Sequence, residues 1–433
     1  MLKQPPVFGA ELRRLRIAAG LTLTQLASSV HYSKGQLSKI ETGRKRASPE
    51  LARLCDAALD AQGALAALVP VRPPQAEAVR PYSHRVAEGT LPGVEHALPD
   101  SGSPTPPSRR QVIAVGAASV LAVGAAEQPP RGPSVAHSGS MEGAYRALLD
   151  QYRRLGQMSP PDTLLPVLAE QTHALRRLAA RSGSRSGGRL LALASHFAVF
   201  TGWLGQEAGN EESALHWTAH AVDLADASGD RDLASYALVR RALITYYRGE
   251  ATETVALAEG ARSPRLPPRI RGLAAQREAQ GHALAGDHDA CMRGLERARL
   301  LLGQASESSG APVLGSTHLG DPVSMITGWC LLDLGRPRAA AEVLDRECAR
   351  LPVTAWRAQA RYGVRRALAH AMAGEIDHAC ALTEELLPLT ASVSSATVTT
   401  DLRRLARTLA RHPRNRSYLS VAPRLTAALT PAP

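Results

Sequence analysis

The sequence predicts an all-α protein: a small five-helix domain, a Pro/Gly-rich linker and a long array of helical hairpins. Three observations carry this. Residues 21–48 contain two short amphipathic helices with caps and a tight turn between them. Twelve of the 30 prolines fall between Pro70 and Ser140. Beyond Met141, glycine-centred turns recur at near-regular spacing between amphipathic helical stretches.

Phe8 to Ala19 reads as a first helix. Leu12 and Leu15 face the core, Arg13, Arg14 and Arg16 stay accessible, and Gly20 ends it. Thr22 with Gln25, and Ser33 with Gln36, have the spacing of capping boxes and start the next two helices. Leu26, Ala27 and Val30 share one face of the second helix, Leu37 and Ile40 one face of the third. Gly43 marks the end of the third. Ser48-Pro49-Glu50 combines a cap residue, a proline at the first helical position and a first-turn acid, so a fourth helix begins there. Leu51, Leu54, Ala58 and Leu59 complete the core, and a short fifth helix over Ala64 to Val69 closes a domain of residues 1–70.

These residues resemble the helix-turn-helix of the phage-repressor-like (Xre/Cro) family. The likeness runs from Phe8 to Leu68. It rests on L-R-x-x-R-x-x-x-G-L-T at Leu12 to Thr22, on Leu26-Ala27, and on S-K-I-E-x-G-R at Ser38 to Arg44. The resemblance implies a DNA-binding transcriptional regulator with the third helix in the major groove. It places Lys34, Gly35 and Gln36 nearest the base edges, with Lys39 one turn on. Lysine suits guanine acceptors and glutamine suits adenine. Thr22, Thr24, Ser33, Ser38, Arg44, Lys45 and Arg46 become candidates for phosphate contact. Arg16 and Glu41 become a structural pair, and two copies are expected on two-fold DNA sites as a homodimer. Leu23 departs from the family, which usually has glutamine there for a phosphate contact; that contact is either lost or taken over by Thr22 or Thr24.

Composition fits a polyanionic partner: 51 Lys and Arg against 39 Asp and Glu give a net charge of +12. Arginine-rich coding in high-GC bacteria produces the same excess, so position matters more. All four lysines (Lys3, Lys34, Lys39, Lys45) lie in the first 45 residues. Cys55, Cys291, Cys330, Cys348 and Cys380 are scattered and form no C-x-x-C pair, which predicts reduced thiols in a cytoplasmic protein. The N-terminal MLKQPPVFGAELRRLR has no apolar run, so no ordinary secretory signal is expected.

Residues 71–140 read as the linker. Within it Arg109-Arg110 precede an apolar segment, 112–126, resembling a twin-arginine export signal. Its 15 residues span about 22 Å as a helix, short of the roughly 30 Å hydrocarbon core of a bilayer. A linker helix docked on protein is the expectation, and a membrane-associated regulator the open alternative.

Residues 141–412 read as the repeat domain and 413–433 as a tail. Turns fall at Gly209-Asn210, Gly249-Glu250, Gly286-Asp287, Gly335-Arg336 and Gly374-Glu375. Small residues follow each turn (Ala214, Thr254, Ala290, Ala339, Ala379), where paired helices approach. From Gly188 to His412 the pattern resembles tetratricopeptide repeats in degenerate form. The concave face of such an array is expected to bind an effector: a peptide, a small molecule or a protein partner. A repeat-based interaction scaffold that does not read DNA is the second alternative. No phosphate loop, nucleophile elbow or H-E-x-x-H helix is present, so neither enzyme activity nor a cofactor is expected. His282, Asp287, His288, Asp289 and Cys291 are close in sequence but read as a solvated repeat turn rather than a metal site.

Overall fold

The computed structural model describes residues 8–69, 135–305 and 312–430. Among these every regular element is helical. The first domain holds α1 (Phe8–Ala18), α2 (Leu23–Ser29), α3 (Lys34–Glu41), α4 (Pro49–Leu59) and one turn of 3-10 helix at Ala66–Leu68. The expected fifth helix is thus a single turn. Asp56 holds it: Oδ1 accepts from the Leu65 amide at 2.9 Å and Oδ2 from the Ala66 amide at 2.8 Å. Leu12, Leu26, Leu37, Leu51 and Leu65 fill the small core, each fully buried.

The second region comprises α5 (Val135–Met158), α6 (Pro161–Ala180), α7 (Ser184–Glu207), α8 (Glu211–Ser228), α9 (Asp232–Arg248), α10 (Ala251–Glu259), α11 (Pro268–Ala285) and α12 (His288–Gly303). After an intervening loop come α13 (Pro322–Asp333), α14 (Pro337–Cys348), α15 (Trp356–Met372), α16 (Ile376–Val393), α17 (Ala396–Leu409) and α18 (Arg416–Leu429). The apolar segment 112–126 and Arg109-Arg110 lie outside the described residues, as does most of the linker read over 71–140; its last residues already belong to α5. The stretch from 413 onward, expected as a tail, contains α18, whose Val421 and Leu425 are buried. Among the described residues no helix is long and apolar enough to cross a membrane.

The five glycine turns join α7 to α8, α9 to α10, α11 to α12, α13 to α14 and α15 to α16. Gly209, Gly249, Gly286, Gly335 and Gly374 all have φ between 72° and 89°, the left-handed region that glycine occupies without a Cβ penalty. The small residue that lets the paired helices approach lies five positions after each glycine: Ala214, Thr254, Cys291, Ala340 and Ala379, all 0% exposed. Two of these correct the sequence reading, which placed the contact at Ala290 and Ala339. Those two are only half-buried, because helical rotation of about 100° per residue turns them off the contact face.

The first helix of each hairpin faces the interior of the array, and the array closes on itself. Glu207, at the end of α7, receives Ser395 Oγ at 2.6 Å and Thr397 Oγ1 at 3.1 Å from the start of α17. Arg357 of α15 donates to the Gly156 carbonyl at 2.7 Å and to Glu207 at 3.3 Å. Hairpins far apart in sequence are thereby tied together around a polar, aromatic interior.

Candidate nucleic-acid interface

Local chemistry builds the face from α2 and α3. Thr22 caps α2 with a full capping box: its Oγ1 accepts from the Gln25 amide, and the Gln25 side chain accepts from the Thr22 amide at 2.8 Å. Ser33 caps α3 by accepting from the Gln36 amide at 3.2 Å, without the reciprocal side-chain bond. The second box expected from sequence is therefore half made. This leaves the Gln36 side chain unused by the cap and the Ser33 hydroxyl proton available to a ligand. Thr22 is committed to its cap, whereas Thr24 is exposed. Leu23 packs against the core as a partly buried hydrophobe.

Lys34, Gly35 and Lys39 are exposed, and Gln36 and Ser38 half-buried. A Cβ added at Gly35 would meet nothing within 4 Å, so packing within the chain does not require a glycine there. Arg44, Lys45 and Arg46 continue the exposed basic face. Glu41, the acid beside them, is held bidentately by Arg16: Nε to Oε1 at 2.6 Å and Nη2 to Oε2 at 3.0 Å. Arg16 Nη1 also donates to the Leu21 carbonyl at 2.8 Å. One arginine thus neutralises the carboxylate, ties α1 to the end of α3 and fixes the turn before α2.

The opposite side of this domain docks on three successive hairpin turns. The backbone of Arg53 meets Gly335, the His31 ring meets Gly374, and Gly63 meets Gly286. Arg411 bridges the two regions, donating to Glu50 at 2.7 Å and lying 4.4 Å from the Tyr32 ring centroid. Burial pushes the Tyr32 phenol up to about 12. Docking uses α4 and the α2–α3 turn, so the α3 face stays open. None of these docking residues was singled out from the sequence. The repeat-turn glycines were, but only as turns; nothing in their spacing shows that three also carry another domain.

His31 makes the contact pH-dependent. Burial, then the nearby Arg338 and His412, lower its pKa below the ordinary 6.5; burial and Arg411 lower that of His412. Docking therefore favours neutral imidazoles. Their contribution to docking is expected to be complete above about pH 6.5 and to be lost as pH falls below that value, since only the undocked histidines take up a proton without penalty. Hydrogen exchange of the α4 amides should quicken several-fold relative to the array between pH 7.5 and 5.5. His31→Asn, which tolerates the positive φ of 52° found here, should flatten that response. An unchanged profile in the variant would remove His31 from the account.

Among the described residues no group of His, Cys, Asp and Glu side chains could hold a metal. Asp287 is an N-cap, accepting from the Ala290 amide at 2.9 Å, and Cys291 is core. Trp329 lies in the array interior among Tyr246, Tyr247 and Tyr362, and Trp203 stacks on Phe200.

Residues 7–69 match a family model described as a helix-turn-helix domain. The chain therefore carries an N-terminal helix-turn-helix domain, followed by an array of helical hairpins. No curated protein and no solved structure matches the chain.

Proposed function

We propose that this chain is a sequence-specific, DNA-binding transcriptional regulator of the Xre/Cro type, whose tetratricopeptide-like array senses an effector and acts on the docked reading domain. The observation that carries this reading is an exposed basic face on α3 and the loop after it, Lys34, Lys39, Arg44, Lys45 and Arg46, whose one nearby acid, Glu41, is neutralised by Arg16. Lys34, Gln36 and Lys39 would read base edges, while Thr24, Ser33, Ser38, Arg44, Lys45 and Arg46 hold phosphates. Two copies on a two-fold site would put their α3 helices about 34 Å apart. The half-buried ties at Glu50, Tyr32 and His31 give the array a means of setting how the two reading domains are presented. Cytoplasmic residence, and the absence of catalysis and of a cofactor, belong to the same reading.

Binding to a library of genomic duplexes at moderate salt tests it. The expected result is a preferred motif, with Lys34→Ala and Gln36→Ala each costing about 1–3 kcal/mol at one base position and relaxing preference there. Lys45→Ala should instead weaken all duplexes alike and reduce the salt slope by about one. Equal affinity for every duplex would overturn the specific-regulator reading in favour of a scaffold.

A further inference from the structure

The interior of the hairpin array holds more buried donors than acceptors, and more cations than anions. Arg240 on α9 is 7% exposed and has no carboxylate partner; its one side-chain bond is Nη2 to Gln206 Oε1 at 3.0 Å. Arg277 on α11 donates only to Gln280 Oε1. Tyr236, Tyr247, Tyr362 and Arg240 lie near enough to act on its charge, and it keeps part of its surface open. The nearest acid to Arg240, Glu207, is already shared by Arg357 and Arg361. Asp333 and Asp401 are taken by Arg404 and Arg365. Arg240, Arg357 and Arg361 therefore share Glu207, while Arg277, near Arg240, has no carboxylate of its own.

Four unpartnered buried atoms here agree in kind. Gln206 Nε2, Arg240 Nε, Gln280 Nε2 and Arg361 Nε all lack a partner, and each is a donor; beside Arg365 one donor, its Nε, and one acceptor, Asp401 Oδ2, are left over together. Both glutamine amides are oriented by the arginines that use their oxygens, so their nitrogens are the ends left over. They come from α7, α9, α11 and α15, far apart in sequence and brought together by the closure of the array. Leaving several buried donors, one buried cation and one half-buried cation unmatched is costly to a fold. An oxyanion is the group that satisfies such a set, because it supplies acceptors and negative charge at once.

We infer that the inner wall around Arg240 and Arg277 is a binding site for a small oxyanion-bearing ligand, a carboxylate or a phosphate. Arg240 and Arg277 hold the charge, and the amide nitrogens of Gln206 and Gln280 hold the remaining oxygens. This deepens the proposed function by naming the chemistry of the effector, and rests on that reading only for its link to DNA.

The test is titration of the full chain with inorganic phosphate, pyrophosphate, succinate and citrate in separate arms, against chloride at matched ionic strength. One arm should raise the unfolding midpoint in proportion to the logarithm of ligand concentration above Kd, by about 3 °C at a hundredfold excess. It should also slow hydrogen exchange around Arg240 and Arg277 in the unaltered protein. The phosphate arms and the carboxylate arms separate the two sources. Arg240→Gln with Arg277→Gln should abolish the shift while unfolding no earlier than the parent in chloride, since the mutual repulsion is gone. No shift above the chloride control in any arm, or a shift undiminished in the double variant, overturns the inference. Saturable binding that leaves DNA affinity unchanged supports the site and counts only against effector control of DNA binding.

Discussion

Glu207→Ala is expected to cost the chain about 3–5 kcal/mol, the range for removing one partner of a buried ion pair. The Glu207 and Arg357 side chains are both 1% exposed. Burial alone would raise the Glu207 pKa, but Arg361 and Arg357 outweigh it and hold the carboxyl below its usual value. Without that carboxylate, the two arginines face each other and Arg240 with no anion between them, and Ser395 and Thr397 lose their acceptor. Arg357 keeps the carbonyls of Gly156 and Ser159, so Arg361 bears most of the penalty. Adding Arg361→Gln to Glu207→Gln should therefore restore a large part of the stability. Denaturant titration of the single and double variants measures both effects. A single-variant loss under about 1 kcal/mol would show that Glu207 does not hold the array closed. Because the group's pKa is lowered, its stabilisation is complete above the ordinary carboxylate range and is lost as pH falls below it.

The second large effect is expected at Gly335. A Cβ there would sit 2.5 Å from the Arg53 carbonyl oxygen and 2.7 Å from the Leu54 amide nitrogen, both backbone atoms of α4 that no side-chain rotation can move. Gly335→Ala should displace the helix-turn-helix domain from the array. Backbone strain also contributes, since φ is +72° and a left-handed non-glycine residue costs roughly 1–2 kcal/mol. Gly229→Ala isolates that part: its φ is +83° and its Cβ would meet nothing within 4 Å. Both variants should lose similar stability in the array. Only Gly335→Ala should accelerate hydrogen exchange along α4, by tenfold or more if docking is worth at least about 1.4 kcal/mol. Matching exchange in the two variants would mean that the contact at Gly335 does not hold the domains together.

Short-range chemistry made much of this protein legible in its sequence. Thr22, Ser33 and Ser48 cap helices because a hydroxyl three residues before an amide is a local geometric fact. The five turn glycines were readable because each must enter the left-handed region at the end of a helix. The basic residues of α3 and the loop after it announced their face because three of the chain's four lysines, Lys34, Lys39 and Lys45, fall there beside a single acid. In the repeats the local reading slipped by one helical step: Cys291 and Ala340 carry the contact assigned to Ala290 and Ala339.

Only the tertiary structure decided which distant residues meet. Glu207 reaches residues 150 to 190 positions away, Arg411 reaches Glu50, and Gly335 receives the backbone of Arg53. No periodicity encodes these pairs, because they follow from the accumulated rotation of successive hairpins rather than from spacing along one helix. The surplus of guanidiniums around Arg240 and Arg277 has the same origin. Each arginine reads singly as an ordinary residue of an amphipathic helix, and becomes an unmatched cation only when closure of the array places it beside the others.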